Sequence, residues 1–150
     1  LGNKAKIIGI DLNPDAKKFE KFGFKIFIGD QADPNFWKKF YSKNGKIDIL
    51  IDDGGHTNLQ QITALMESIE NIKNDGLIII EDTHTSFMNY KGFKNPSDYS
   101  LINFTNKIIE NLHRRNPMIK KKMNLFSKKI SSIEYFDSIV IIKISKKKYS

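Results

Sequence analysis

Short apolar runs alternate with segments of helical periodicity along the first half of the chain. Four apolar runs predict strands, at Lys6–Asp11, Lys25–Gly29, Asp48–Asp52 and Leu77–Ile80. Three segments between them predict helices, at Asp15–Phe22, at Pro34 to about Lys43 and at Thr57 to about Lys73. Strands that alternate with helices at this spacing predict βαβ units and a parallel sheet. Because the strands are almost wholly apolar, we expect helices on both faces of that sheet.

The boundaries of these helices follow from local capping chemistry. Asp33 is a suitable N-cap and Pro34 suits the first helical position. Thr57 and Gln60 form the T-x-x-Q pattern of a capping box. We expect Asn74-Asp75-Gly76 to break the third helix before the fourth strand begins.

The second half of the chain predicts a different arrangement. A polar loop is expected at Thr83–Asp98, then a helix at about Tyr99–Arg114. Ile130–Phe136 and Ser138–Ser145 predict two closing strands, antiparallel because the link at Asp137 is too short for a crossover. Residues 116–129 show no clear pattern. The 150 residues predict one α/β domain.

Charge and composition narrow the class of protein only a little. The net charge is +8, and much of the excess lies in lysines near the C-terminus: Lys120, Lys121, Lys122, Lys128, Lys129, Lys146, Lys147 and Lys148. Because no nucleic-acid-binding motif accompanies them, we interpret them as a solvated surface and expect no nucleic-acid partner. An acidic glycan or a lipid-linked acceptor stays open. The absence of cysteine excludes disulfides and thiolate metal sites, and no apolar run reaches the length of a membrane span, so we expect a cytoplasmic protein.

Acidic residues follow three of the four predicted parallel strands. The first strand ends in Asp11, the third in Asp52-Asp53 and the fourth in Glu81-Asp82. Since ligands of open parallel sheets bind beyond the carboxyl ends of the strands, these acids mark a candidate site. The alternative is a set of independently solvated turn formers, because aspartate often begins a turn.

The third and fourth strands should be neighbours, which would bring Asp53, Glu81 and Asp82 together. Carboxylates crowded in this way repel one another unless a cation is present, and hard oxygen ligands suit Mg²⁺ or Mn²⁺. His56 follows Asp53 by three residues and is the candidate general base, since neutral imidazole accepts protons near neutral pH. His84 is a weaker candidate that we group with Thr85 and Ser86 as substrate-facing residues.

Residues at the first two strand ends are candidates for binding a nucleoside cofactor. An acid in the position of Asp11 accepts hydrogen bonds from ribose hydroxyls in nucleotide-binding folds. Asp30 and Gln31 could reach an adenine amino group, although a plain turn explains them equally well. Asp52 completes the predicted cofactor-binding set.

At these residues the sequence resembles the metal-dependent sugar O-methyltransferases of macrolide biosynthesis. The resemblance is carried by IIGIDLNPD, KIFIGDQAD, IDILIDDGGH and GLIIIEDTHTSF, and more loosely by EYFDSIVIIK. The family's best-known type is the mycinamicin VI 2″-O-methyltransferase, and it includes rhamnosyl O-methyltransferases and the group named cephalosporin hydroxylases. The resemblance implies a Rossmann-like class I methyltransferase fold with S-adenosylmethionine as cofactor.

The resemblance also implies residue roles. Asp53, Glu81 and Asp82 would ligate Mg²⁺, and His56 would be the base on a sugar hydroxyl. Asp11 would hold the cofactor ribose, with Asp30 and Gln31 along its adenosine. We therefore expect methyl transfer to a small-molecule or glycan acceptor, and a homo-oligomer stays open.

Two departures from the family pattern affect these expectations. The family's opening strand and its glycine-rich E-x-G-x-x-x-G loop have no counterpart here, and we expect them before Leu1. That strand would lie between those carrying Asp11 and Asp53, so we expect two unpaired strand edges. In addition, Phe87-Met88-Asn89-Tyr90 differs from the aromatic run usual after H-T-S, which affects the acceptor pocket.

Three other functions compete with this interpretation. A metal-dependent O-methyltransferase of catechol-like acceptors would need the same cation and neighbouring hydroxyls. A methyltransferase-like binding domain without catalysis would follow if the glycine-rich loop were absent from the gene. A nicotinamide dehydrogenase is disfavoured because it leaves the acidic cluster unexplained.

Overall fold

The computed structural model describes residues 4–89, 99–114, 116, 118–119 and 124–145. The strands are β1 Ile8–Asp11, β2 Lys25–Ile28, β3 Ile47–Asp52, β4 Ile72–Ile80, β5 Ile130–Phe136 and β6 Ile139–Ile144. The α-helices are α1 Pro34–Asn44, α2 Asn58–Ser68, α3 Leu101–His113 and α4 Leu125–Lys129. Two further segments, Pro14–Phe22 and Thr83–Phe87, are 3₁₀ helices. Part of the predicted loop Thr83–Asp98 and six of the eight C-terminal lysines lie outside the described residues.

The strands form two sheets. One is the parallel pair β1–β2, and the other has the order β3-β4-β6-β5. In the second sheet β3 and β4 are parallel, whereas β6 runs antiparallel to both β4 and β5. The predicted α/β fold, with parallel strands and a C-terminal antiparallel pair, is confirmed. Among the described residues no hydrogen-bonded ladder joins β1 to β3, which agrees with the expectation that the strands carrying Asp11 and Asp53 are not paired.

The core lies between one face of the larger sheet and the helices α2 and α3. Alternate residues of β4 and β6 point into it, and Ile78 and Ile80 of β4 pair in register with Ile142 and Val140 of β6. Leu50 of β3 continues the same face. The opposite face is more open, because Ile49 is 41% exposed and Ile51 is 58% exposed. The three longer helices thus cover one face of the larger sheet, so the described α-helices do not meet the expectation of helices on both faces.

The boundary between α2 and β4 corrects the sequence-based prediction. Helix α2 ends at Ser68 instead of about Lys73, and β4 already begins at Ile72. The predicted breaker Asn74-Asp75-Gly76 lies within β4, where the pairing with β3 shifts register. Asp75 has a left-handed φ of 64°, and a Cβ on Gly76 would lie 2.3 Å from the Asp48 carbonyl oxygen. These residues therefore bend the strand as a bulge and do not end a helix.

The predicted helix starts agree with the structure. Asp33 caps α1, its carboxylate accepting from the Asn35 N–H, and Pro34 is the first residue of α1. Thr57 and Gln60 form the reciprocal capping box of α2. Asn124 and Ser127 form a second capping box before α4, in the stretch where the sequence showed no clear pattern.

An aromatic cluster on α1 packs against residues of both sheets. Trp37, Phe40 and Tyr41 are buried, and Ile10 of β1 and Leu50 of β3 pack against them. The Tyr41 hydroxyl donates a 2.7 Å hydrogen bond to Ser68 Oγ at the end of α2. Helix α1 therefore links the two sheets through side-chain packing.

Tyr41 is expected to make the fold sensitive to alkaline pH. Burial raises the pKa of its hydroxyl to about 12, above the ordinary value near 10. A raised pKa contributes stability below about pH 10 that is lost as the pH rises through 12. Between pH 10 and pH 12 the free energy of unfolding of Tyr41→Phe should therefore fall by about 2 kcal/mol less than that of the unsubstituted protein. Urea unfolding at pH 8 to 12 measures this difference. Tyr135→Phe, at an exposed position, is the control. If Tyr41→Phe lost as much stability at alkaline pH as the unsubstituted protein, the prediction would be contradicted.

Within the described residues, no helix combines the length and the apolar character needed to cross a membrane.

Candidate active site

The carboxyl ends of β3 and β4 lie side by side, as predicted. Asp52 pairs in register with Ile80, and the Glu81 N–H donates a 2.9 Å hydrogen bond to the Asp52 carbonyl oxygen. The chain leaves β3 through Asp53 and the two glycines, and it leaves β4 through Glu81 and Asp82. The loops that carry the candidate residues therefore start from one edge of the sheet.

Asp53, His56 and Asp82 form a compact group at this edge. Each offers one ligand atom, and these atoms all lie within 4.8 Å of one another. His56 Nε2 is 3.3 Å from Asp82 Oδ2, and His84 Nδ1 is 3.9 Å from Asp82 Oδ1. Asp53 is exposed, whereas His56 and Asp82 are half-buried. The group is thus open to solvent on one side.

The backbone at Asp82 aims its side chain into this group. Asp82 has a left-handed conformation, with φ 51° and ψ 36°, which is uncommon for a residue other than glycine. Thr85 supports the turn, because its hydroxyl lies 2.9 Å from the Asp82 carbonyl oxygen and 2.8 Å from that of His56. Thr85 therefore ties the loop after β3 to the loop after β4.

The carboxylate of Glu81 is not part of the compact group among the residues that the structure describes. Its backbone is held on both sides, by the Asp52 carbonyl oxygen and by the Gln61 side-chain amide at 2.9 Å from the Glu81 carbonyl oxygen. His56 takes the third place that the sequence assigned to Glu81. The role of Glu81 as a metal ligand stays a prediction.

The predicted cofactor residues at the ends of β1 and β2 are exposed. Asp11 Oδ1 accepts a 2.7 Å hydrogen bond from the Asn13 N–H, and Asp30 Oδ1 accepts one of 2.8 Å from the Ala32 N–H. The Gly29 N–H donates to the Asp11 carbonyl oxygen, so the two strand ends are adjacent. Asp11 and Asp30 therefore shape neighbouring turns, and their cofactor contacts stay predictions.

Gln31, which is half-buried, pairs with the buried Asp52 and so joins the loop after β2 to the loop after β3. The Gln31 amide nitrogen lies 2.6 Å and 2.7 Å from the two carboxylate oxygens of Asp52, and the Gln31 amide oxygen accepts from the Gly55 N–H at 2.9 Å. Burial raises the pKa of Asp52 to about 6, while the hydrogen bonds from Gln31 oppose part of that rise. Asp52 is 7% exposed, so the geometry favours an internal role over the predicted cofactor contact.

The predicted substrate-facing residues divide into two kinds. His84 is exposed beside Asp82. Thr85 and Ser86 are buried, and the Ser86 hydroxyl lies 3.3 Å from the Asn58 side-chain oxygen. Both hydroxyls are engaged within the protein, and their predicted substrate contacts gain no support from this geometry.

Two polar residues that support the site, Asn58 and Gln61, were not predicted from the sequence. Asn58 accepts a 2.8 Å hydrogen bond from the Leu101 N–H, which fastens the start of α3 beneath the site. Gln61 is fully buried and holds the Glu81 carbonyl oxygen. Both lie on the helical stripe that continues with Ile62 and Leu65. Polar residues at core positions of a helix were the signal that could have identified them.

The donor set of the group fits a hard divalent cation. Two carboxylates and one imidazole converge, and uncompensated carboxylates this close repel each other. His56 Nδ1 is buried without a hydrogen-bond partner among the described residues, and the other ring nitrogen contacts Asp82. Mg²⁺ or Mn²⁺ could be held by Asp53 and Asp82, with other positions left to water and substrate oxygens.

Known proteins resemble this chain in sequence and in fold. No family model matches the chain. L-olivosyl-oleandolide 3-O-methyltransferase of Streptomyces antibioticus is 30% identical over 91 residues, which cover 61% of this chain and 23% of the relative. Demethylmacrocin O-methyltransferase of Streptomyces fradiae is 31% identical over 96 residues, which cover 64% of this chain and 24% of the relative. The chain thus spans about a quarter of the length of these relatives.

Solved structures share the fold at lower sequence identity. MycE methyltransferase of the mycinamycin biosynthetic pathway, in complex with Mg and SAH, superposes with a TM-score of 0.84 at 19% identity, covering 96% of this chain and 38% of that one. A Methanococcus jannaschii fibrillarin superposes with a TM-score of 0.55 at 13% identity, covering 99% and 59%. The chain therefore has the class I methyltransferase fold, and in sequence it is similar to the two O-methyltransferases named above.

Proposed function

We propose that this chain is the metal- and base-bearing part of an S-adenosylmethionine-dependent, Mg²⁺-dependent O-methyltransferase that acts on a hydroxyl of a sugar or glycosylated acceptor. The observation that carries the proposal is the convergence of Asp53, His56 and Asp82 at the carboxyl edge of β3 and β4. The sequence similarity to sugar O-methyltransferases supports it. MycE, which shares the fold, was solved with Mg and SAH.

The chain's residues would prepare the acceptor oxygen for attack. His56 would remove the hydroxyl proton at Nε2, the nitrogen that faces Asp82 at 3.3 Å. The Asp82 carboxylate lies where it stabilises the positive charge that His56 then carries. When bound, S-adenosylmethionine would supply the methyl group, and its transfer to the acceptor oxygen would give a methyl ether and release S-adenosylhomocysteine.

Asp53 and Asp82 would hold the cation, with Glu81 as the further ligand predicted from the sequence. When bound, Mg²⁺ supplies Lewis acidity toward the acceptor hydroxyls. Asp11 and Asp30 would contact the ribose and adenosine of the cofactor. The proposal includes the cytoplasmic location, the small-molecule or glycan acceptor and the absence of a nucleic-acid substrate that we expect from the sequence.

A methyl-transfer assay tests this proposal on the protein expressed from its complete gene. Labelled S-adenosylmethionine is supplied with glycosides that carry free neighbouring hydroxyls, with a catechol as the comparison. We expect label in the glycoside, loss of transfer with EDTA and recovery with Mg²⁺ or Mn²⁺. Transfer to the catechol alone would favour the other acceptor class, and a protein without any transfer would favour a binding domain.

A further inference from the structure

We propose that Gln31 is a positioning residue that fixes the loop bearing Asp53 and His56, acting through Asp52 and Gly55. This inference rests on the proposed function, because that function is what makes a fixed conformation of the loop matter for the cation and the base. Gln31 follows β2, whereas the loop follows β3, and no ladder joins the two sheets among the described strands. Its side chain therefore connects two loops that the sheet hydrogen bonds do not connect.

The nitrogen and the oxygen of the Gln31 side-chain amide both form hydrogen bonds. The nitrogen can only donate, and the oxygen can only accept. The nitrogen donates toward the two Asp52 oxygens at 2.6 Å and 2.7 Å, while the oxygen accepts from the Gly55 N–H at 2.9 Å. Turning the amide over would set its oxygen against a carboxylate and its N–H₂ against an N–H. The partners thus define a single orientation of the side chain.

A hydrogen bond from helix α1 also fixes the backbone of Gln31. Its carbonyl oxygen accepts a 2.9 Å hydrogen bond from Trp37 Nε1, and Trp37 is 2% exposed in the aromatic cluster of α1. On the other side, a Cβ added to Gly54 would lie 2.7 Å from the Gln31 amide oxygen. Glycine at position 54 thus leaves the space that the amide occupies.

This arrangement places Asp53 and His56 on a loop held at both of its flanks. Asp52 precedes Asp53 and is held by Gln31, and Gly55 precedes His56 and is held by the same amide. Removing a group that hydrogen-bonds a metal ligand commonly lowers metal affinity by about 10- to 100-fold, and Gln31, which bonds the residues next to Asp53 and His56, should act in the same direction. Gln31 would therefore act on the cation and the base without touching either.

Gln31→Met tests the inference, because methionine has nearly the same length and neither donates nor accepts as an amide does. In the protein expressed from its complete gene we expect faster hydrogen exchange at the Gly55 amide, which loses its acceptor. We also expect Mn²⁺ affinity to fall about tenfold or more, with binding of S-adenosylhomocysteine nearly unchanged. Ser42→Ala, at an exposed position of α1, is the matched control and should change none of the three measurements.

The outcomes separate this inference from the proposed function. Unchanged Gly55 exchange in Gln31→Met would overturn the inference, and so would weaker S-adenosylhomocysteine binding with unchanged Mn²⁺ affinity, since Gln31 would then contact the adenosine. If the unsubstituted protein bound no Mn²⁺, the proposed function would fail. Hydrogen exchange at Gly55 would still show whether Gln31 holds the loop. Should Gln31→Met not fold, Gly54→Ala disturbs the same contact, because the added Cβ would lie 2.7 Å from the Gln31 amide oxygen, and Gly55 exchange should rise there too.

Discussion

Replacing His56 with alanine is expected to slow methyl transfer by a factor of about 10² to 10⁴, the range that a positioned general base contributes. The imidazole lies in the compact group with Asp53 and Asp82, and its Nε2 lies 3.3 Å from Asp82 Oδ2 while Nδ1 is buried. Binding of S-adenosylhomocysteine should stay near the unsubstituted value, because Asp11 and Asp30, the exposed residues predicted to contact the cofactor, lie at the ends of β1 and β2. Turnover and calorimetric binding, measured on the same preparations, check both parts.

His113→Ala is the matched control, since His113 is exposed near the end of α3 and away from the site. Near-normal turnover in His56→Ala would show that the general-base assignment is wrong. Mn²⁺ titration adds a second distinction, because His56 also offers a ligand atom to the group. A large loss of Mn²⁺ affinity in His56→Ala would identify the imidazole as a ligand and not as the base.

Asp82→Asn is expected to weaken cation binding and activity together. The carboxylate lies beside His56 Nε2 and within the candidate cation group, so its loss removes one charged ligand and the partner of the base. We expect the Mg²⁺ concentration for half-maximal rate to rise at least tenfold and turnover to fall about 100-fold. Asparagine tolerates the left-handed backbone at φ 51°, so the fold should keep most of its stability.

Asp75→Asn provides the matched control for this change. Asp75 also has a left-handed backbone, with φ 64°, but it lies in the exposed bulge of β4. Its substitution should alter neither the Mg²⁺ dependence nor turnover. An unchanged Mg²⁺ dependence in Asp82→Asn would contradict the assignment of Asp82 as a ligand. Glu81→Gln, measured in parallel, decides whether Glu81 is the further ligand that the sequence predicts.

The predictions that depended on neighbouring residues agree well with the structure. The capping box of Thr57 and Gln60 and the N-cap at Asp33 formed where expected, because each involves residues within three positions of one another. The adjacency of β3 and β4 also followed, since a short βαβ connection places consecutive parallel strands side by side. The boundary at Asn74-Asp75-Gly76 was wrong because turn-forming residues can bend a strand as well as end a helix.

The membership of the compact group could not be predicted in full. Glu81 and Asp82 are adjacent in sequence and both follow β4, but only Asp82 reaches the group, and its backbone is left-handed. The pairing of Gln31 with Asp52 spans 21 positions and two sheets. Neither feature leaves a local pattern, because each depends on the positions of separate strand ends in space.

The α/β class, the order of most elements and the edge of the sheet where the candidate residues gather could all be predicted from the amino-acid sequence. These features depend on the spacing of apolar residues and on capping groups within a few positions, so the local pattern is sufficient for them. The position of His56 beside Asp53 and Asp82, and the bonds from Gln31 to Asp52 and Gly55, became visible only in the folded chain. Those contacts depend on strand register, on the turn at Asp82 and on the packing of Trp37 beneath Gln31, which join distant parts of the chain.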